Sequence, residues 1–245
     1  MDIGSLSYGG VYLLGFLLYL LTPSQVFTFS LKVNYSLFAA NGAIIGGRLG
    51  YVLFYEPVYY LNNPFEIIEL WKGGMSFHGG VLGLVAGCLL CTYLTKSSRE
   101  LFFIALDRAC LIALVIIPLG RCCNYLNGEL WGRITQLPWG VVFEGADDNP
   151  RHPVQLYEAF FEGPALGLLL YFLYQRKLLK RPLSISCYYL LGYSLFRFFT
   201  EFFREADSMV GYYHGFTLGQ ILCISGIFIS VFLLKKIGRN FVESC

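Results

Sequence analysis

The residues best suited to chemistry stand together at 120–133, which read Gly-Arg-Cys-Cys-Asn-Tyr-Leu-Asn-Gly-Glu-Leu-Trp-Gly-Arg. They follow directly on the apolar run 111–119. If one helix continues through both, Arg121, Asn124 and Gly128 share a face at i, i+3 and i+7, with Glu129 at its edge. A cation and amides at the end of a membrane span are costly to place there and usually have a task. For any single residue of the run, a helix cap followed by a polar loop is the plainer account. It does not account for the whole cluster.

Three further groups carry polar chemistry into apolar surroundings. Arg197, Glu201 and Arg204 are spaced by four and three, which puts them on one helix face over about 10 Å of axis. An intrahelical ion pair at a membrane edge is the plain alternative. His78 sits between paired glycines in Gly73-Gly-Met-Ser-Phe-His-Gly-Gly80, and glycines let a backbone approach a ligand or a neighbouring helix closely. It is either a satisfied structural histidine or a reactive one. Arg151-His-Pro-Val-Gln-Leu-Tyr-Glu158 puts Gln155 and Glu158 on one face as a helix begins, while His152-Pro153 also reads as an ordinary helix start.

Arg48 lies inside another apolar stretch, in Gly46-Gly-Arg-Leu-Gly50. Exposed to hydrocarbon, Arg48, Arg121 and Arg197 would together cost about 8–10 kcal/mol. They are therefore expected to line a polar cavity, where arginine suits a phosphate or a carboxylate. A cavity that binds anions and opens to lipid points to a phospholipid headgroup. These residues alone leave two classes open, an enzyme and a transporter or carrier of an anionic lipid.

Composition agrees with a membrane setting. Of 245 residues, 56% are hydrophobic and only 14% charged, against roughly a quarter charged in soluble domains. A net charge of +2, without a basic patch interleaved with aromatics, excludes nucleic acid as the expected partner. The eight cysteines fall mostly in apolar runs, where cysteine packs as a small hydrophobe. They lack zinc-ligand spacing with histidine, so no metal is expected. Cys122-Cys123 is read as packing rather than as a strained vicinal disulfide.

Hydropathy predicts an all-α integral membrane protein with seven spans, near 8–21, 36–55, 79–94, 101–120, 159–174, 184–203 and 217–234, as a single domain over 1–245. Residues 56–77 are expected as a loop, and Pro118 is expected to kink the fourth span. With no Lys or Arg before Lys32, the basic region of a cleaved signal peptide is missing. The loops holding Lys32, Lys96, Arg99, residues 176–181, Lys235, Lys236 and Arg239 fall on one side. Most of the acidic residues, Asp147, Asp148 and Asp207 among them, fall on the other. The positive-inside rule then makes the C-terminus cytoplasmic and the N-terminus external. Every polar cluster named above lies at the outer-leaflet side.

With these motifs in register along nearly the whole chain, the sequence resembles the bacterial prolipoprotein diacylglyceryl transferase family. The matching segments are Tyr8-Gly9, 46–55, 73–80, 120–133, 151–158 and Phe196-Arg-x-x-x-Glu-Phe-Phe-Arg204. The resemblance implies seven helices, the bacterial cytoplasmic (inner) membrane and two substrates, phosphatidylglycerol and the lipobox peptide of a preprolipoprotein. It implies transfer of diacylglyceryl to the lipobox cysteine, giving a thioether and glycerol-1-phosphate, with no cofactor. The expected catalytic residues are His78, Arg121, Arg197 and Glu129. Arg121 and Arg197 hold the phosphate, oriented by Glu129 and Glu201, and His78 is the general base, unless a glutamate is the base and His78 positions lipid. Tyr8, Arg48, Asn124, Asn127, Glu201, Arg204, His152 and Glu158 are expected to bind substrate.

Overall fold

The computed structural model describes residues 3–205, 212–213 and 215–242. Asp207, named above, and Cys245, the last of the eight cysteines, lie outside the described residues, as does the side chain of Arg239. The helices in chain order are α1 (Ile3–Leu21), α2 (Phe29–Phe54), α3 (Pro57–Asn62), α4 (Phe77–Leu94), α5 (Arg99–Leu126), α6 (Val154–Phe160), α7 (Leu166–Gln175), α8 (Ser184–Thr200) and α9 (Leu218–Val242). Two 3-10 turns, Pro64–Ile68 and Leu70–Lys72, follow α3, and a π-helical turn, Phe161–Ala165, joins α6 to α7. A short antiparallel ladder pairs β1 (Tyr212–Tyr213) with β2 (Phe216–Thr217).

Among the described residues, five stretches are long and apolar enough to cross a membrane: Phe29–Phe54, Phe77–Leu94, Arg99–Leu126, Val154–Gln175 and Leu218–Gly238. The apolar stretch Tyr8–Leu21 is shorter, and α8 has 17 residues. The chain divides into two compact units, one of Phe16–Arg108 and the other of Met1–Gly15 with Ala109–Cys245.

Within Phe16–Arg108, α2 and α4 meet along a glycine seam. Gly42, Gly46 and Gly50 recur every four residues on α2, as do Gly79, Gly83 and Gly87 on α4. A Cβ on Gly83 would land on the Gly42 carbonyl, and one on Gly46 would land on that of Gly79. Lipid supplies no hydrophobic drive between helices, so contact at backbone range is what holds such a pair together. Lys32 Nζ donates to the carbonyls of Leu20 at 3.2 Å and Thr22 at 2.7 Å. Arg108 reaches Tyr19, Thr22 and Pro23 carbonyls at 3.0–3.1 Å. Two cations thus satisfy the carbonyls at the end of α1, where the helix dipole favours positive charge.

Residues 56–77 were expected as a plain loop, and the structure instead forms α3 and two 3-10 turns there. The cause is Arg48. Its Nε donates to the Ile67 carbonyl at 2.9 Å and its Nη2 to Glu66 at 2.6 Å, while Nη1 bonds the Gly73 carbonyl. A five-donor fork 3% exposed inside a ring of carbonyls gathers this segment into tight turns.

In the other unit, Leu166, Leu170, Tyr189 and Tyr193 form a buried cluster between α7 and α8. The fourth span runs beyond the expected end at Gly120, through Pro118, to Leu126. The seven described cysteines, Cys122 and Cys123 included, are free thiols.

Candidate active site

The unit of Met1–Gly15 with Ala109–Cys245 gathers most of the expected site residues, by two local devices. The first is the end of α5. The Gly128 N–H donates to the Tyr125 carbonyl at 3.1 Å, and the Glu129 N–H reaches back to Asn124 O at 3.0 Å. With Gly128 at φ +64°, this is a Schellman stop, which favours glycine because the left-handed conformation crowds a Cβ. Gly128 therefore does not continue the face of Arg121 and Asn124, as a continuous helix would require. It turns the chain back, and Asn124 Nδ2 lies 3.1 Å from Glu129 Oε1. The Tyr8 hydroxyl also donates to Glu129 Oε1, and Asn124 Nδ2 donates to the Tyr8 oxygen. Gln155, fully buried, donates through Nε2 to the Glu129 carbonyl at 2.7 Å.

The second device is the helix that starts after Pro153. Its one buried face carries Gln155, Glu158 and Glu162. Glu158 binds Arg121 Nε at 3.1 Å, Arg197 Nη1, and Arg204 Nη1 at 3.4 Å. Glu162 binds Arg121 Nε at 2.9 Å, and Glu201 binds Arg197 Nη2 at 2.7 Å. Thr217 Oγ1 donates to Glu201 at 2.9 Å. Three arginines thus meet three carboxylates, and the formal charges cancel.

Accessibility does not cancel. The Glu158 and Glu162 side chains are 0% exposed, whereas those of Arg121, Arg197 and Arg204 keep 13–15%. The acidic partners are wholly covered, while the arginine side chains they hold keep a small exposed share. An incoming anion meets cations already oriented by hydrogen bonds, the arrangement that stabilises developing negative charge at least reorganisation cost.

The expected pairing of Arg121 with Glu129 is corrected: the partners of Arg121 are Glu158 and Glu162, while Glu129 is held by Tyr8 and Asn124. Glu162 was missed. Its signal was a glutamate inside the apolar fifth span, four residues after Glu158 and so on the same face. Arg197 and Glu201 do pair as their spacing predicts. Arg204 lies beyond the end of α8, in a bridge with Gly132, and still reaches Glu158.

Other expected residues are placed elsewhere. The donors of Arg48 are taken by backbone carbonyls, so its role is to build the 64–74 segment rather than to line an open cavity. His152 is edge-on to Tyr157 and Phe203, with Nδ1 3.2 Å from the Tyr157 hydroxyl. Burial pulls its pKa below the usual imidazole value, which favours the neutral ring. Asn127, exposed just past the end of α5, is the exception: its side chain lies beside the Tyr8 hydroxyl, within the Tyr8–Asn124–Glu129 group. His78, in the other unit, is half-buried in the first turn of α4, after the capping Ser76, with the Phe77 ring edge-on to it. Among the described residues, no three His, Cys, Asp or Glu side chains gather in a way that could hold a metal ion.

The sequence matches the family model described as prolipoprotein diacylglyceryl transferase over residues 2–235. It is similar to the phosphatidylglycerol–prolipoprotein diacylglyceryl transferase of Oleidesulfovibrio alaskensis, 44% identical over 95% of this chain and 89% of that protein. The proteins of the same name from Polynucleobacter asymbioticus and Nitrosomonas europaea are 41% and 43% identical. Those alignments cover 94% and 96% of this chain, and 90% and 87% of the relatives.

Proposed function

The chain belongs to the prolipoprotein diacylglyceryl transferase family, and from that premise we propose that it moves the diacylglyceryl group of phosphatidylglycerol onto the lipobox cysteine of preprolipoproteins. It is a transferase of the bacterial inner membrane, crossing it several times. The observation that carries the reading is the set of three arginines oriented by buried carboxylates, which suits the phosphate of an anionic lipid.

In the reaction, the cysteine thiol loses its proton and its sulfur bonds to the glycerol carbon that carries the phosphate ester. The carbon–oxygen bond to that phosphate breaks, and glycerol-1-phosphate leaves with the electron pair. A thiol with a pKa of about 8.5 is a weak nucleophile until ionised, and the departing phosphate needs its growing charge neutralised. Arg121 and Arg197 take the second task, with Arg204 beside them on Glu158. Tyr8 and Asn124 fix Glu129, and this polar group hydrogen-bonds the glycerol or phosphate oxygens. His78 is the general base for the thiol; in the rival assignment a glutamate takes the proton. His152 and Asn127 contribute to substrate binding from the outer loop.

Residues 1–245 act as a single transmembrane catalytic domain. Seven spans follow from adding α1 and α8 to the five long apolar stretches. The one-sided basic loops support an external N-terminus and a cytoplasmic C-terminus, with the arginine cluster toward the outer leaflet.

The test is incubation of the purified protein with glycerol-labelled phosphatidylglycerol and a lipobox peptide. Label fixed covalently to the peptide sulfur is the expected result. Label that binds or moves between leaflets but never joins the peptide would establish a lipid carrier instead.

A further inference from the structure

We propose that Glu162 is a positioning residue, holding the Arg121 guanidinium by its Nε edge so that the edge of its two terminal nitrogens is left for the substrate phosphate. The proposal rests on the reading of Arg121 as the phosphate clamp. A guanidinium offers two usable edges to an oxyanion, one of Nε with a terminal nitrogen and one of the two terminal nitrogens. Glu162 occupies the first with both oxygens, Oε2 at 2.9 Å from Nε and Oε1 at 3.4 Å from Nη2. Glu158 adds an oxygen 3.1 Å from the same Nε. Among the described residues, no carboxylate takes Nη1. The end that remains is the one a phosphate can grip.

The backbone around Glu162 is built for this contact. Glu162 lies in the π-helical turn Phe161–Ala165, which contains Pro164. A proline inside a regular helix clashes with the carbonyl four residues before it, and the wider turn relieves that clash. The next residue, Gly163, is seated on Pro118 of α5, where an added Cβ would fall on the proline ring. Pro118 is three residues from Arg121, so the turn that carries Glu162 is packed against the turn that carries its partner. Single π turns inside α-helices appear frequently at functional sites. If folding stability were the only demand, a buried ion pair could often be exchanged for apolar side chains without loss. Orientation of a clamp is a reason to keep it, because an error of about 1 Å at a reacting group can cost on the order of a hundredfold in rate.

The experiment compares wild type, Glu162→Gln, Arg121→Lys and the double variant, in peptide lipidation at matched amounts of folded, detergent-purified protein. Turnover of Glu162→Gln should fall on the order of ten- to a hundredfold, with KM for phosphatidylglycerol within a few-fold of wild type. The double variant should be no worse than the poorer single variant, because lysine has no edge to aim. Effects that multiply, or Glu162→Gln turnover equal to wild type while Arg121→Lys is crippled, would overturn the positioning role and leave the clamp standing. Near-normal turnover of Arg121→Lys would instead remove the clamp reading itself. Should Glu162→Gln not accumulate, Glu162→Asp keeps the charge but withdraws it by one methylene, and the same coupling to Arg121→Lys is required of it.

Discussion

Glu129 accepts a hydrogen bond from Asn124 at 3.1 Å because α5 stops at Leu126 and Gly128 turns the chain back at φ +64°. A β-branched side chain at that φ is strained by about 1–3 kcal/mol. Gly128→Val is expected to loosen Glu129 and lower lipidation well below wild type while the protein still inserts. Gly128→Asn, which tolerates the left-handed region, should keep much more activity. Equal activities for the two would separate the turn from the site.

Glu158 is the hub of the arginine cluster, shared by three guanidiniums. Glu158→Gln leaves three buried cations facing two carboxylates, a change of the kind that costs about 3–5 kcal/mol. Both the melting temperature and the yield of purified protein should fall. Glu201→Gln, whose carboxylate serves one arginine, should cost less. A melting temperature unchanged by Glu158→Gln would contradict the hub.

The α2–α4 seam makes a prediction remote from the chemistry. Gly83→Leu places a branched side chain where the Gly42 carbonyl lies, and the two helices cannot approach. The variant should be degraded or misassembled in the membrane. Leu82→Ala, at an exposed neighbouring position, should accumulate normally. Normal accumulation of Gly83→Leu would show that the seam is not required.

One acid-sensitive link lies outside the spans. The Arg151 guanidinium, 3.1 Å away, holds Asp147 at about 2, below its ordinary 3.8. A carboxylate depressed in the folded state contributes stability above its unfolded pKa and loses it as pH falls through the folded one. The loop 127–153 should therefore loosen between about pH 4 and pH 2, read from the fluorescence of Trp131 and Trp139. Asp147→Asn should remove this step, and an unchanged profile would assign the transition to another group.

Orientation can be tested separately. A reporter active only in the cytoplasm should be active when fused after Ile237 and silent when inserted within 140–150. The reverse pattern would move the arginine cluster to the inner leaflet.

Much of this protein was determined by short-range properties of its sequence. Apolar runs located the helices, since a helix buried in lipid must satisfy its backbone internally whatever its neighbours are. The Pro153 helix start and the Arg197–Glu201 spacing act within a few residues, and both were visible in the string. The stop at Gly128 is equally local, but the expected face through Gly128 assumed a continuous helix. The tertiary structure decided which charges meet. Arg121 and Glu162 are 41 residues apart and Tyr8 and Glu129 are 121 apart, so nothing local selects these partners. That is why Glu129, nearer in sequence, was the expected partner of Arg121, and why Glu162 was overlooked in an apolar run. Arg48 was legible as a buried cation needing partners, but not as the staple of residues 64–74. Backbone carbonyls are present at every residue, and only the folded chain determines which of them converge on a guanidinium.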